Sequence, residues 1–135
     1  MGRFVLVLSL LAAVAGLPIH AQAADLKADI PFAFQMGRTR LPAGTYVVSQ
    51  TPSVVTLQEA HGAKSAMALF VRTERRGVAR GGELEFQRYG NDYFLSNVWG
   101  AYTPEGLALL KSPREKELVR NVGIAARAGI ALERK

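Results

Sequence analysis

Short runs in which apolar and polar side chains alternate recur along much of this chain, and proline, glycine or asparagine separates one run from the next. Successive side chains of a strand point to opposite faces, so a period of two indicates β-structure. About seven such runs are present, and residues 66–71 are apolar on both faces, which predicts a central strand. The sequence therefore predicts an all-β, mainly antiparallel domain, either a sandwich or a partly open barrel of about seven strands.

The Gly-Asn-Asp sequence at residues 90–92 separates two of these runs and predicts a hairpin, because glycine and asparagine tolerate a positive φ. If all three residues form the loop, Tyr89 pairs with Tyr93, Phe86 with Ser96, and Leu84 with Val98. A two-residue turn would shift every one of these pairs.

A helix is predicted after the strands, because a capping box marks its start. Ser112 supplies the N-cap hydroxyl, Pro113 suits the first helical position, and Glu115 lies three residues after the cap. Gly123 is a suitable stop. The apolar stripe of this helix consists of Leu118, Val119 and Val122. We expect residues 123–135 to form a frayed helix or a mobile tail.

Residues 1–23 have the features of a secretory signal peptide. Arg3 is followed by an apolar run at residues 4–17 and by the small-residue cleavage pattern Ala21-Gln22-Ala23. The run is shorter than the ~18 residues that span a bilayer, so we predict a cleaved leader and no transmembrane anchor in the mature protein. Residues 24–122 are then a single β-rich domain that ends in the short helix, in the periplasm or outside the cell.

Composition limits the classes of function. The chain has no cysteine, which excludes disulfides, thiolate metal sites and a lipid-modified N-terminal cysteine. Its net charge of +6 favours attraction to anionic surfaces. Export makes those surfaces glycans or membrane lipids, so no nucleic-acid partner is expected.

No catalytic pattern is evident. His61 is the one histidine after the leader, it lies at a predicted turn, and a Gly-x-Ser-x-Gly elbow is missing from the sequence. Glu83 and Glu85 lie two apart on a predicted strand, about 7 Å from each other, which suits a glycan-cleaving hydrolase but is more typical of a solvated sheet face. The scattered carboxylates predict no metal site, and no motif predicts a cofactor.

Two groups of residues are candidate binding features. Arginine side chains on the glycine-containing segment 72–82 can bind sulfate, phosphate or carboxylate groups through paired hydrogen bonds. This candidate anionic-ligand loop contains Arg72, Arg75, Arg76 and Arg80. Aromatic rings farther along the chain can stack on sugar rings, or pack across strands. The candidate aromatic groove contains Tyr93, Trp99 and Tyr102.

Four motifs carry a family resemblance, and they are Asp29-Ile30-Pro31-Phe32-Ala33-Phe34, Leu41-Pro42-Ala43-Gly44-Thr45-Tyr46, Arg88-Tyr89-Gly90-Asn91-Asp92-Tyr93-Phe94-Leu95 and Lys111-Ser112-Pro113-Arg114-Glu115-Lys116-Glu117-Leu118. Over about residues 29–120, the chain resembles a family of small exported bacterial β-domain proteins of unknown function. The resemblance implies export and a β-domain, and it implies no activity. Residues 41–46 alone are also similar to a turn of exported transthyretin-like and carboxypeptidase-regulatory β-domains.

We therefore expect a non-enzymatic structural or binding module of the cell envelope or exterior, with an anionic glycan or an envelope surface as the partner class. Two alternatives stay open. One is an envelope glycan-cleaving hydrolase that uses Glu83 and Glu85, and the other is a barrel that binds a small apolar ligand in an interior cavity.

Overall fold

A computed structural model describes residues 26–77, 81–100, 103–123 and 126–134, which form eleven strands and one helix. The predicted signal peptide at residues 1–23 lies outside the described residues. The strands are β1 (Leu26–Ile30), β2 (Phe34–Met36), β3 (Thr39–Leu41), β4 (Gly44–Gln50), β5 (Val54–Glu59), β6 (Ser65–Glu74), β7 (Glu83–Tyr89), β8 (Asp92–Trp99), β9 (Glu105–Leu109), β10 (Ala126–Ala131) and β11 (Glu133–Arg134). The helix α1 spans Pro113–Val122.

Nine of the strands pair in one continuous sheet, in the order β10-β7-β8-β9-β6-β5-β4-β1-β11. β2 and β3 form a short hairpin beside it, and β2 also makes a parallel pairing with β8. Every other pairing in the described residues is antiparallel. The predicted all-β, mainly antiparallel fold with a C-terminal helix is confirmed, with more strands than expected, and over the described residues the sheet is not closed into a barrel.

One hydrophobic core receives side chains from both halves of the sheet and from the β2–β3 hairpin. The Phe34 ring contacts Tyr46 and Phe86 edge to face, with centroid distances of 5.3 and 5.4 Å. All three of these rings are buried. Side chains therefore fill the centre of the domain, an arrangement that does not favour the alternative of a barrel with an interior apolar ligand.

The first of the alternating runs, residues 30–36, does not form one strand, since it contains the end of β1 and the whole of β2. Pro31 has no N–H to donate and comes directly after the end of β1. Beyond the interruption, β2 starts at Phe34 and pairs with β3 and β8, whereas β1 pairs with β4. Phe34 and Met36, whose alternation predicted a strand, are both buried.

The β7–β8 hairpin is confirmed, and its turn is the shorter of the two considered. Gly90 and Asn91 form the turn, Gly90 has a φ of 64°, and Tyr89 pairs with Asp92. A positive φ at the first turn residue matches the primed turns that two-residue hairpins favour.

A β-bulge in β8 then changes the register again. Ser96 has no direct partner on β7, and Phe86 pairs with Leu95 instead of with Ser96 as the three-residue loop predicted. The extra residue restores the predicted pairing of Leu84 with Val98. A bulge also reverses the face to which the following side chains point.

Helix α1 begins and ends as predicted. The Ser112 hydroxyl accepts a hydrogen bond from the Glu115 N–H at 3.2 Å, and Gly123 follows the last turn with a φ of 86°. The predicted apolar stripe, however, does not pack against the sheet as a unit, because Val119 and Val122 are exposed. The buried residue of the helix is Glu115.

The prediction of a helical or mobile tail at residues 123–135 is wrong over residues 126–134, so the domain does not end at residue 122. β10 pairs with β7 and β11 with β1, and the buried Leu132 between them donates its N–H to the Gly82 carbonyl at 2.9 Å. Backbone pairing holds this edge segment, whose small side chains gave no clear period of two. The segment bridges the two ends of the sheet.

One part of the sheet has two faces that differ in what covers them, and it consists of β5, β6, β9, β8 and β7. On the inner face the side chains belong to the core, as for Leu57 on β5 and Leu107 on β9. On the outer face they point away from the core. β6 is central, as predicted, with β5 and β9 on its two sides.

Candidate functional site

The candidate site is built around Trp99, at the end of β8 on the outer face. Only 8% of this residue is exposed, and its ring lies over Gly106 of the neighbouring β9, where any side chain would overlap it. The indole Nε1 donates a hydrogen bond to Glu85 Oε2 at 2.7 Å. A glycine opposite the ring and a carboxylate at its polar end therefore fix the orientation of Trp99.

The second oxygen of Glu85 is also engaged. Glu85 Oε1 lies 3.5 Å from Arg127 Nε on β10, and the Glu85 side chain is 15% exposed. Glu83 packs over Gly129 of the same strand. Because both oxygens of Glu85 have partners, the arrangement favours a role in holding Trp99 over the acid or base role that the hydrolase alternative requires.

Arg75 covers Trp99 from the segment that follows β6. Its guanidinium carbon lies 5.0 Å from the ring centroid, within the range of a cation–π contact. The Arg75 N–H donates to the Pro104 carbonyl at 2.9 Å, which fixes the backbone here. The Nη2 atom is buried and has no hydrogen-bond partner among the described residues. Such an unsatisfied group costs about 1–3 kcal/mol, more when charged, and an incoming acceptor would recover part of it.

An open groove with a volume of about 360 Å³ lies beside this cluster. Its lining residues are Arg72, Thr73, Glu74, Glu105 and Gly106. Glu74 and Glu105 are direct cross-strand partners on β6 and β9, and both are exposed. Two like charges opposite each other cost stability. Local costs of this kind occur at functional sites.

The structure separates the members of the predicted anionic-ligand loop. Arg72 is part of β6 and not of a loop, because the pairing with β9 continues as far as Glu74. Arg72 lines the groove, Arg75 lies on Trp99, and Arg76 is exposed beyond them. Arg80 lies outside the described residues.

The predicted aromatic groove is wrong for its two described members, Tyr93 and Trp99. Six residues of regular strand would place both rings on one face, but the bulge at Ser96 lies between them. Tyr93 packs against the core, stacked on Phe32 at a centroid distance of 3.9 Å, whereas Trp99 lies on the outer face. Tyr102 lies outside the described residues.

The two groove carboxylates, Glu74 and Glu105, were missed by sequence reasoning. The residues lie 31 positions apart and only the β6–β9 pairing brings them together. No local pattern in the sequence marks the pair, because Glu74 ends one strand and Glu105 begins another.

A second glutamate-anchored aromatic residue lies on the same two strands, beneath α1. The Tyr89 hydroxyl donates to Glu115 Oε1 at 3.3 Å, and the Tyr89 ring meets Phe94 edge to face. Burial raises the pKa of Glu115, while Lys111 and the Tyr89 hydrogen bond lower it in part. Burial also raises the pKa of Tyr89, and the Glu115 charge adds to that shift.

Comparison with protein-family models, curated proteins and solved structures finds no match to this chain. The family resemblance of the four sequence motifs therefore stays a prediction. Among the described residues, the helix is too short and too polar to cross a membrane.

Proposed function

We propose that this protein is a non-enzymatic binding module of the cell envelope or exterior, and that it holds acidic glycans in the groove formed by β6 and β9. The observation that carries the proposal is the combination of Arg72, Glu74 and Glu105 around one open groove. The location rests on the signal-peptide features of residues 1–23.

The chemistry of the groove suits a ligand that carries both anionic groups and hydroxyls. Arg72 offers a planar set of donors for a carboxylate or sulfate. Glu74 and Glu105 are acceptors for hydroxyl groups and would repel a simple anion. A sugar acid presents both kinds of group a few ångströms apart, whereas a free inorganic anion presents one.

Trp99 makes the proposal testable in the intact protein, since it is the one tryptophan of the chain and its ring lies over Gly106, which lines the groove. We expect oligogalacturonate to bind saturably and to change the fluorescence of Trp99, with affinity that falls as salt rises. Neutral maltooligosaccharide should bind much more weakly. Isothermal titration calorimetry gives the affinities.

Substitutions separate the groove from general charge attraction. Arg72→Ala should weaken oligogalacturonate binding by about tenfold or more, since a hydrogen bond to a charged group is lost. Arg114→Ala removes an arginine that is also exposed but lies on α1, and it should leave the affinity unchanged. Equal losses in the two variants would reject the groove as the site.

Glu105→Ala distinguishes glycan recognition from anion attraction. If Glu105 accepts a sugar hydroxyl, this variant binds oligogalacturonate more weakly. If the site responds to negative charge alone, loss of a carboxylate strengthens binding, and the proposal fails in its glycan part.

A further inference from the structure

The outer face of β6 presents three large apolar side chains to solvent. Met67, Leu69 and Val71 are 69%, 58% and 54% exposed. On β5, Val54 is the direct partner of Leu69, and Leu110, which is 54% exposed, donates its N–H to the Leu69 carbonyl from the other side. These five side chains, here called the β6 patch, form a cross that is centred on Leu69.

The outward strand positions around the β6 patch carry no charge. The outward positions of the three adjacent strands, all within the described residues, are Val54, Thr56 and Gln58 on β5, Ser65, Met67, Leu69, Val71 and Thr73 on β6, and Gly106 and Ala108 on β9. The chain as a whole is 21% charged with a net charge of +6, so an uncharged sheet face of this extent is unusual for it. Contiguous exposed apolar patches with polar surroundings mark interaction sites.

From this geometry we infer that the β6 patch is a self-association surface on which a second copy of this chain docks across a two-fold axis through Leu69. A two-fold contact needs a surface that matches itself. Along β6, Met67 and Val71 lie at equal distances on either side of Leu69. The two-fold axis therefore brings Met67 of one copy against Val71 of the other. A foreign partner is usually selected by charge at the interface, and the outward positions of β5, β6 and β9 offer none.

The absence of charged side chains at these positions also makes this surface a better contact for a second copy than the charged surfaces of the molecule. Two molecules of a basic protein repel each other, and the repulsion is least where the contact region holds no arginine or lysine. The eight outward positions without the groove residues cover about 260 Å² of sheet plane, at ~4.8 Å between strands and ~6.8 Å between side chains on one face. This is well below the ~800 Å² per partner of a standard interface, so the dimer is weak, with a dissociation constant on the order of 0.1–1 mM.

Sedimentation velocity of the purified protein, over concentrations that bracket this value, is the first test. We expect a reversible monomer–dimer equilibrium that Leu69→Lys shifts toward monomer by about tenfold or more, because a lysine at the axis buries two like charges. Val122→Lys changes a residue that is 53% exposed on α1, and it should leave the equilibrium unchanged. Met67→Lys, at a still more exposed position, should repeat the effect of Leu69→Lys and covers the case in which that variant folds poorly.

Crosslinking locates the contact, because the chain has no cysteine of its own. Packed sheets lie ~10 Å apart, beyond the reach of a disulfide, so a short bismaleimide is the suitable reagent. Leu69→Cys should give crosslinked dimer, and Val122→Cys should give little.

A monomer at every concentration, or dimerisation lost in Val122→Lys and kept in Leu69→Lys, would overturn the inference, as would binding to lipid vesicles through the patch without self-association. Arg72→Ala should not alter the dimer, so this result is independent of the glycan proposal.

Discussion

Two aromatic residues on the β7–β8 pair are anchored by glutamates, and they differ in what surrounds the carboxylate. Glu85 holds Trp99 and is compensated by Arg127, while Arg75 covers the ring. Glu115 holds Tyr89 under α1 and is 4% exposed. The first pair lies beside an open groove, and the second is closed off by a helix.

A glutamate that anchors an aromatic ring therefore serves a different purpose at each end of the β7–β8 pair. The Glu85 carboxylate is partly solvated and pairs with the Arg127 guanidinium, so the Trp99 end of the sheet holds a polar anchor beside a polar groove. The Glu115 carboxylate is buried and forms no salt bridge among the described residues, and burial raises its pKa despite the nearby Lys111. The Tyr89 end is therefore suited to fastening the helix and not to binding a charged ligand.

The largest effect is expected at the closed end. Tyr89→Ala removes a buried ring that packs on Phe94 and leaves the Glu115 carboxyl without its donor. We expect a loss of about 3–5 kcal/mol in the free energy of unfolding, measured by urea denaturation and followed by Trp99 fluorescence. Tyr93→Ala is the matched control, since Tyr93 is half-buried and should cost less. Equal costs would mean that the helix contributes little to the burial of Tyr89.

A smaller effect is expected from Gly106→Ala at the open end. The added methyl group overlaps the Trp99 ring, which must move away from β9 and from Glu85. Overpacking of this kind costs about 1–3 kcal/mol, and the Trp99 emission should shift because the ring becomes more solvated. Gly81→Ala, at an exposed glycine with open space around it, should leave both stability and emission nearly unchanged. An unshifted spectrum in Gly106→Ala would contradict the packing of Trp99 on β9.

Trp99→Phe tests the anchor itself. The variant keeps a ring over Gly106 and removes the N–H that Glu85 accepts, and Glu85 retains Arg127. We expect a loss of about 1 kcal/mol, the usual net value of a hydrogen bond whose acceptor keeps another partner. Because this variant has no tryptophan, circular dichroism replaces fluorescence as the probe. A loss as large as that of Tyr89→Ala would show that the two ends do not differ.

The smallest effect at neutral pH, and the sharpest in its pH dependence, is expected from Glu115→Gln. Burial holds the pKa of Glu115 above its unfolded value, so the folded state binds the proton more tightly. The stability of the parent protein relative to Glu115→Gln should be highest below the ordinary carboxyl pKa, near ~4.3, and should fall as pH rises toward and through the raised folded pKa. Urea denaturation of both proteins between pH 4 and pH 7 measures this difference. A difference that grows with pH would contradict the buried carboxyl.

The elements that the sequence predicted correctly are those set by local chemistry. The hairpin at Gly90 and the start of α1 at Ser112 depend on residues within a few positions of each other. The bulge at Ser96 depends on the pairing of two strands, and no residue type marks it. For that reason the sequence placed Tyr93 and Trp99 on one face, when they lie on opposite faces.

The sequence predicted only part of the site, because the site also depends on the pairing of distant strands. Arg72 and Arg75 were identified from their side-chain chemistry, and both lie at or beside the groove. Their partners Glu105 and Gly106 come from a distant strand, which only the sheet order places next to β6. The strands at residues 126–134 were missed because an edge strand held by backbone pairing needs no regular apolar period.

The bridging position of β10 and β11 has a consequence for aggregation. Without residues 126–134, β1 and β7 each lack one neighbour, and the buried position of Leu132 is empty. Both strands then become sheet edges whose unpaired N–H and C=O groups can pair with a strand of another molecule. One short segment of small side chains therefore protects two edges of the sheet from edge-to-edge association.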